Sequence, residues 1–172
     1  MTPEAPDPDV FVGIDMAKGD HFAQAMGRDG AELFKRAVRN DETAIVGLIN
    51  EARGHGASVA FVVDQPASGA QLLLSLAAAH GVQVAYVTGL QMRRAADLYA
   101  GRAKTDPIDA WVLADFARRN VDRLCWLEVT DDLLVELRIL NGRDVDLAAD
   151  ATRAINRCRD AITAISPALE RA

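Results

Sequence analysis

Residues 58–64, SVAFVVD, are apolar at nearly every position and close on an aspartate. Strand side chains alternate between two faces, so a run without polar alternation must be covered on both. A second run of this kind, VQVAYV, occupies 82–87, and the stretch between them, 70–80, reads as a helix stopped by Gly81. Strand, helix and strand of this composition demand a sheet with helices above and below it. At 172 residues the chain can bury a real core as one domain with an appendage.

The upstream pattern differs. VFVGID at 10–15, HFAQAMG at 21–27 and AELFKRAV at 31–38 are short strand candidates, the last two joined by an Arg28-Asp29-Gly30 turn. They predict an antiparallel meander. A helix capped by Asn40 or Asp41 then runs to about Ala52, with Ile45, Leu48 and Ile49 on one face. Two more helices are expected over 90–99 and 107–120, separated by a loop containing GRAKT. The order β-β-β-α-β-α-β-α matches the ribonuclease H-like architecture, an α/β fold whose mixed sheet is flanked by helices.

From 130 to 165 the apolar positions step by three or four: Leu133, Leu137, Leu140, then Leu147, Ala151, Ile155, Cys158, Ile162 and Ile165, with Asp144 in the same series. This predicts a long amphipathic helix, or a helical hairpin broken near Asn141-Gly142. Unbroken, it would extend roughly 50 Å, more than a domain this size can cover. A coiled-coil or dimer role for 130–165 follows. Residues 1–9 hold three prolines and three acids and read as a disordered leader.

Composition narrows the function. Lys and Arg number 19 against 25 Asp and Glu, a net charge of −6 that by itself argues against a nucleic-acid partner. Two cysteines support neither a disulfide framework nor a cysteine-based zinc site, which points to a reducing cytoplasm. The acidic, Pro-rich start is unlike a signal peptide, and the longest apolar run, 72–79, is far short of a membrane span.

The acids fall at informative places. Asp15 ends the first strand and Asp64 the first buried strand, at the sheet rim where ligands of open α/β folds collect. Asp106 and Asp109, in AKTDPIDA, lie three apart at a helix start and share a face. Should that helix cross the sheet near the first strand, four carboxylates converge. Their repulsion is relieved by divalent cations, and hard oxygen donors suit Mg²⁺ or Mn²⁺, two of which can clamp the oxygens of a phosphodiester. Each acid also has an ordinary reading. Asp106 before Pro107 is a helix cap, Asp109 favours the helix dipole, Asp64-Gln65-Pro66 can be a turn, and Asp15 a strand end.

Basic residues cluster nearby. Between 91 and 123 lie Arg93, Arg94, Arg102, Lys104, Arg118, Arg119 and Arg123 against five Asp; with Asp106 and Asp109 set aside the segment carries +4. Arginines around a metal cluster position phosphates, whereas i,i+4 pairs such as Asp115–Arg119 would make them solvated helix faces. His21, His55 and His80 show no metal spacing and read as surface or turn residues. No Walker or Rossmann glycine loop is present, and Ser68 lacks the frame of a nucleophile. Trp111 and Trp126 read as core or interface residues.

GIDMAK, VVDQPASGAQLLLSLAAAHGVQVAYVTGLQMRRAADLY and above all AKTDPIDAWVLADFARR resemble the DEDD transposases of bacterial insertion sequences, the "IS one-ten" type related to Piv DNA invertases. The resemblance is close over 10–125, and the helix at 130–165 is similar to the family's coiled-coil segment. It implies a RuvC-like catalytic domain over 10–125, with Asp15, Asp64, Asp106 and Asp109 as a metal-binding tetrad acting in DNA strand cleavage and transfer. The family commonly has Glu where this chain has Asp64. Arg93, Arg94, Arg102, Lys104 and Thr105 are expected at the nucleic acid. The resemblance further implies a structured guide RNA as partner and a C-terminal serine domain, of which this chain shows nothing, so it is expected to be part of a working enzyme and incomplete alone.

Two other readings remain at this stage. One is a RuvC-like nuclease or junction resolvase using the same acids with water as nucleophile. The other is a non-catalytic nucleic-acid-binding module that dimerises through 130–165. Actin-like ATPases share a related fold but need a second phosphate loop and about twice the length.

Overall fold

The computed structural model describes residues 6–17, 19–64, 70–97, 106–128 and 131–165. Its elements are β1 (Val10–Asp15), β2 (Asp20–Gly27), β3 (Glu32–Arg39), α1 (Glu42–Arg53), β4 (Val59–Val63), α2 (Ala70–Ala79), β5 (Gln83–Tyr86), α3 (Gly89–Asp97), α4 (Asp106–Arg119), β6 (Cys125–Leu127) and α5 (Asp131–Ile165). The strands form one sheet in the order β3-β2-β1-β4-β5-β6. β1, β2 and β3 pair antiparallel as the expected meander, whereas β4 lies parallel to β1 and β5 parallel to β4. This is the mixed α/β sheet of the ribonuclease H-like class.

Local chemistry sets the boundaries. Of the two candidate caps for α1, Asp41 is the one used: its carboxylate accepts from the Ala44 amide at 2.8 Å, and Ile45, Leu48 and Ile49 are buried. The β2–β3 turn requires Gly30 at φ +86°, a backbone state open to glycine. α3 begins with a reciprocal cap, in which the Gln91 amide donates to Thr88 Oγ1 at 3.2 Å while Gln91 Oε1 accepts from the Thr88 amide at 2.9 Å.

Both faces of the sheet are covered. Phe11, Ala60 and Val62 pack with Val87, Met92 and Ala95 and with Val112, Leu113 and Ala117 of α4. The alternate residues Val10, Val12, Ile14, Phe61 and Val63 are also buried, on the face that α1 and α2 cover.

The structure departs from the sequence reading in several places. β6 is an unforeseen sixth strand, antiparallel to β5 with Tyr86 opposite Cys125. α5 runs through Asn141-Gly142 without the break that a hairpin needs. His21 is 1% exposed in β2, where a surface or turn position was expected. Residues 7–9, assigned to the leader, are tied to the fold: the Ser58 amide donates to Asp9 Oδ2 at 3.0 Å, and Arg28 Nε donates to the Pro8 carbonyl at 2.9 Å. The GRAKT loop and Ser68 lie outside the described residues.

The chain divides into two compact units, Met1–Leu134 and Val135–Ala172. On the second, Leu147, Ile155 and Ile162 are 67%, 53% and 40% exposed. No helix among the described residues is long and apolar enough to cross a membrane.

Candidate metal-binding site

β1 is where the strand order reverses: β2 and β3 continue to one side, β4 and β5 to the other. Ligands of open α/β sheets bind outside the carboxyl ends of the strands at such a point. Ile14 lies opposite Val63 in the parallel β1–β4 pair, so Asp15 and Asp64 follow at neighbouring strand ends. Alternation puts Asp15 on the side of Phe11 and Gly13, the side that packs against α4, and Asp64 directly follows β4, whose Ala60 and Val62 face that same side.

What brings α4 there is Gly13. A Cβ at this position would stand 2.0 Å from the Ala110 carbonyl oxygen, 2.6 Å from the Ala114 nitrogen and 2.9 Å from Leu113 Cβ. Only a hydrogen fits, so the backbone of α4 rests on the backbone of β1. Asp109 immediately precedes Ala110 and is half-buried, while Asp106, of which only the backbone is described, opens α4 one turn before Ala110. A backbone contact therefore fixes α4 on β1, the strand that ends on Asp15, beside the end of β4 that Asp64 follows. Among the described residues, no group of three or more His, Cys, Asp or Glu stands close enough together to hold a metal ion. Asp15, Asp64 and Asp109 each interact with other groups as well. The donor set is nonetheless all hard oxygen and comes from three separate elements, which fits a Mg²⁺ or Mn²⁺ site.

The basic cluster separates into two kinds. Arg118 and Arg119 both bind Asp115, with Arg118 Nη2 at 2.6 Å from Oδ1 and Arg119 Nε at 3.0 Å from Oδ2, and Asp115 is 1% exposed. Arg118 also lies against the β2–β3 turn, its Nε 3.2 Å from Met26 Sδ and its guanidinium where a side chain on Gly30 would have to go. Arg118 thus ties α4 to the β2–β3 turn, and Arg119 pairs within α4, the i,i+4 pairing that the sequence offers beside a phosphate collar. Arg93 and Arg94 are different: both are exposed on α3, and neither forms an ion pair with a described residue. α3 leaves the same sheet edge as the carboxylates, because the Val87 amide donates to the Val63 carbonyl at 2.9 Å just before α3 starts. Arg102, Lys104 and Thr105 lie outside the described residues.

Sequence reasoning named the four aspartates as candidates but overlooked three supports. The role of Gly13 was signalled only by a glycine inside an apolar strand. The Thr88–Gln91 cap could have been read from its T-x-x-Q spacing. The double engagement of Asp115 was half visible in its i,i+4 relation to Arg119.

A β3-β2-β1-β4-β5-β6 sheet with carboxylates at the β1 and β4 ends and a helix laid on β1 defines a RuvC-like domain of the ribonuclease H class. RuvC of T. thermophilus, solved in complex with a Holliday junction substrate, superposes with a TM-score of 0.51 at 15% identity, over 69% of this chain and 99% of that one. Residues 12–167 match the DEDD transposase family of the IS110 type, and the chain belongs to that family. It is 42% identical over 165 residues to an uncharacterized 43.6 kDa protein of insertion element IS110 from Streptomyces coelicolor, across 96% of this chain and 41% of the relative. Similar relatives are an IS116 protein of Streptomyces clavuligerus, 44% identical over 95% of this chain and 40% of the relative, and an IS900 protein of Mycobacterium paratuberculosis, 41% identical over 95% and 41%. The chain thus spans about two fifths of the length of these relatives.

Proposed function

We propose that this chain is the metal-dependent catalytic domain of a DNA transposase, with 10–125 as the catalytic part and Asp15, Asp64, Asp106 and Asp109 as ligands for a pair of Mg²⁺ or Mn²⁺ ions. The observation that supports the proposal is that Asp15 and Asp64 close neighbouring parallel strands at one sheet edge while the Gly13 contact lays α4 on β1. Bound divalent metal would polarise the scissile phosphate and lower the pKa of the attacking oxygen. The chain's own residues do the rest. Asp15 and Asp64 present oxygens from a rigid sheet, and Asp109 presents its own from a helix that cannot slide while Gly13 holds it. Asp64 is one methylene shorter than the family's usual Glu and reaches less far from the strand end. Arg93 and Arg94, with Arg102, Lys104 and Thr105, would hold backbone phosphates in register for strand cleavage and transfer.

Within the same reading a structured guide RNA selects the DNA, a serine domain beyond this segment completes strand exchange, and the protein works in the cytoplasm. Two copies join through residues 130–165, since three large apolar side chains of α5 stand in water. The test is thermal melting during titration with MgCl₂ or MnCl₂. A midpoint that rises with metal by mass action, and no longer rises in Asp15→Ala or Asp106→Ala, supports the site; an unchanged midpoint in the parent chain removes it. Cleavage of branched DNA by the isolated chain with Mn²⁺ would instead identify a self-sufficient nuclease. DNA binding without any metal response in the parent chain would identify a non-catalytic module.

A further inference from the structure

We infer that α5 pairs with α5 of a second copy in the antiparallel sense. The inference rests on the dimerisation reading above and adds orientation and register to it. α5 is one helix of 35 residues. Its apolar series recurs at 133, 137, 140, 144, 147, 151, 155, 158, 162 and 165, and the exposed Leu147, Ile155 and Ile162 belong to it. Laid against itself in reverse, the series matches throughout. Position 133 meets 165, 137 meets 162, 140 meets 158, 144 meets 155 and 147 meets 151, each within one residue of a common two-fold centre near Ala149.

A parallel pair would also match its stripe, so charge decides between the two. The first half of α5, 131–147, carries five acids and two arginines, a net −3, while 149–165 carries Arg153, Arg157 and Arg159 against Asp150 and Asp160, a net +1. Side by side, like halves repel; reversed, each acidic half lies along a basic one. Asp144 sharpens the choice because its spacing puts it in the apolar series. In a parallel pair two Asp144 carboxylates meet in the seam, where like charges are costly. In the antiparallel pair position 144 meets Ile155 of the other copy, with that copy's Arg159 one turn further along. The stripe also steps 4-4 at 147–151–155 within otherwise alternating 4-3 spacing, a stutter that locally unwinds a left-handed supercoil and straightens the centre of the pair. Antiparallel pairing sets the two Asp131 ends roughly 50 Å apart, at 1.5 Å per residue, whereas a parallel pair sets them side by side.

Cys158 lies in the series and reports orientation directly. Cys125→Ser leaves it as the sole thiol of the full chain. Under mild oxidation, Cys125→Ser alone should give almost no disulfide-linked dimer. Adding Leu140→Cys should give linked dimer at least about tenfold more efficiently, because a disulfide requires Cα atoms within about 7 Å. Linked dimer from Cys158 alone overturns the antiparallel arrangement and leaves dimerisation standing. A dimer by sedimentation that neither variant crosslinks overturns the proposed register. A chain that sediments as a monomer at every concentration overturns dimerisation itself, while the metal titration above judges the catalytic site separately.

Discussion

Helices α4 and α5 both carry apolar residues that recur every three or four positions, yet they end in opposite situations. On α4, Ala110, Val112, Leu113, Ala114 and Ala117 are fully buried, pressed against a strand whose glycine admits the helix backbone itself. On α5 the large apolar side chains Leu147, Ile155 and Ile162 stand in water. Periodicity reports that a helix has a face; what covers the face is decided by its neighbours. For α4 the neighbour is written into the same chain at position 13. For α5 the neighbour proposed above is a second copy of the chain.

Gly13→Ala tests the first half of that contrast and should have the largest effect. A methyl 2.0 Å from a carbonyl oxygen cannot be accommodated by a rotamer change, so α4 must move away from β1. The loss of stability should reach or exceed the top of the ~1–3 kcal/mol usual for overpacked cores. Chemical denaturation measures it, and any metal-induced rise in melting temperature should vanish with it. A variant as stable as the parent would show that α4 does not rest on β1 as described.

The next contrast sets one deletion on each helix side by side. Leu113→Ala empties a fully buried site and should cost about 2–5 kcal/mol. Ile155→Ala removes an apolar side chain of similar size that is 53% exposed, and should leave the unfolding of the sheet unit within about 0.5 kcal/mol of the parent. Its effect should appear in sedimentation, as a dimer that dissociates at higher protein concentration. Tryptophan emission is the right probe for the first readout, because both tryptophans, Trp111 and Trp126, lie in the sheet unit. Equal destabilisation by the two changes would erase the distinction between a covered and an uncovered face.

What the sequence made legible follows the same line. β1, β4 and β5 were readable because continuous apolar runs leave no alternative to a doubly covered strand, and Asp15 and Asp64 were readable because a carboxylate ends each of the first two. β6 was not, since CWL is three residues long and too short to show a period. Gly142 was weighed as a helix break, but an interior glycine costs only about 1 kcal/mol relative to alanine and a long helix absorbs it. Arg118 and Arg119 could be read as phosphate ligands or as partners of Asp115, and the burial of Asp115 that decides for the pairing is not visible in the sequence. The same gap explains His21, a lone histidine among strand residues that gives no sign of which way it faces.

His21 supplies the smallest of these effects and one that belongs to the sheet unit alone. Its Nδ1 accepts from the Ala17 amide at 3.3 Å, bracing the turn that follows Asp15, and burial lowers its pKa below the ordinary 6.5 against opposing contributions from Asn40, the Ala17 amide and Asp20. The sign follows from linkage. The unfolded chain takes up a proton below about 6.5 that the folded one resists, so this stabilisation is complete above that pH and is lost as the pH falls. Glu32 and Asp41 also have lowered pKa values, through Lys35 and through the Ala44 amide respectively, but as carboxylates they weaken the fold only as the pH drops through their own ordinary values of 4.5 and 3.8. Between these ranges His21 should contribute to the decline. His21→Gln keeps a polar side chain that does not titrate, and urea midpoints followed by tryptophan emission at pH 7.5 and 5.5 should differ less in this variant than in the parent. An identical slope in both would assign the pH dependence to some other group and leave the Ala17 brace without a role in it.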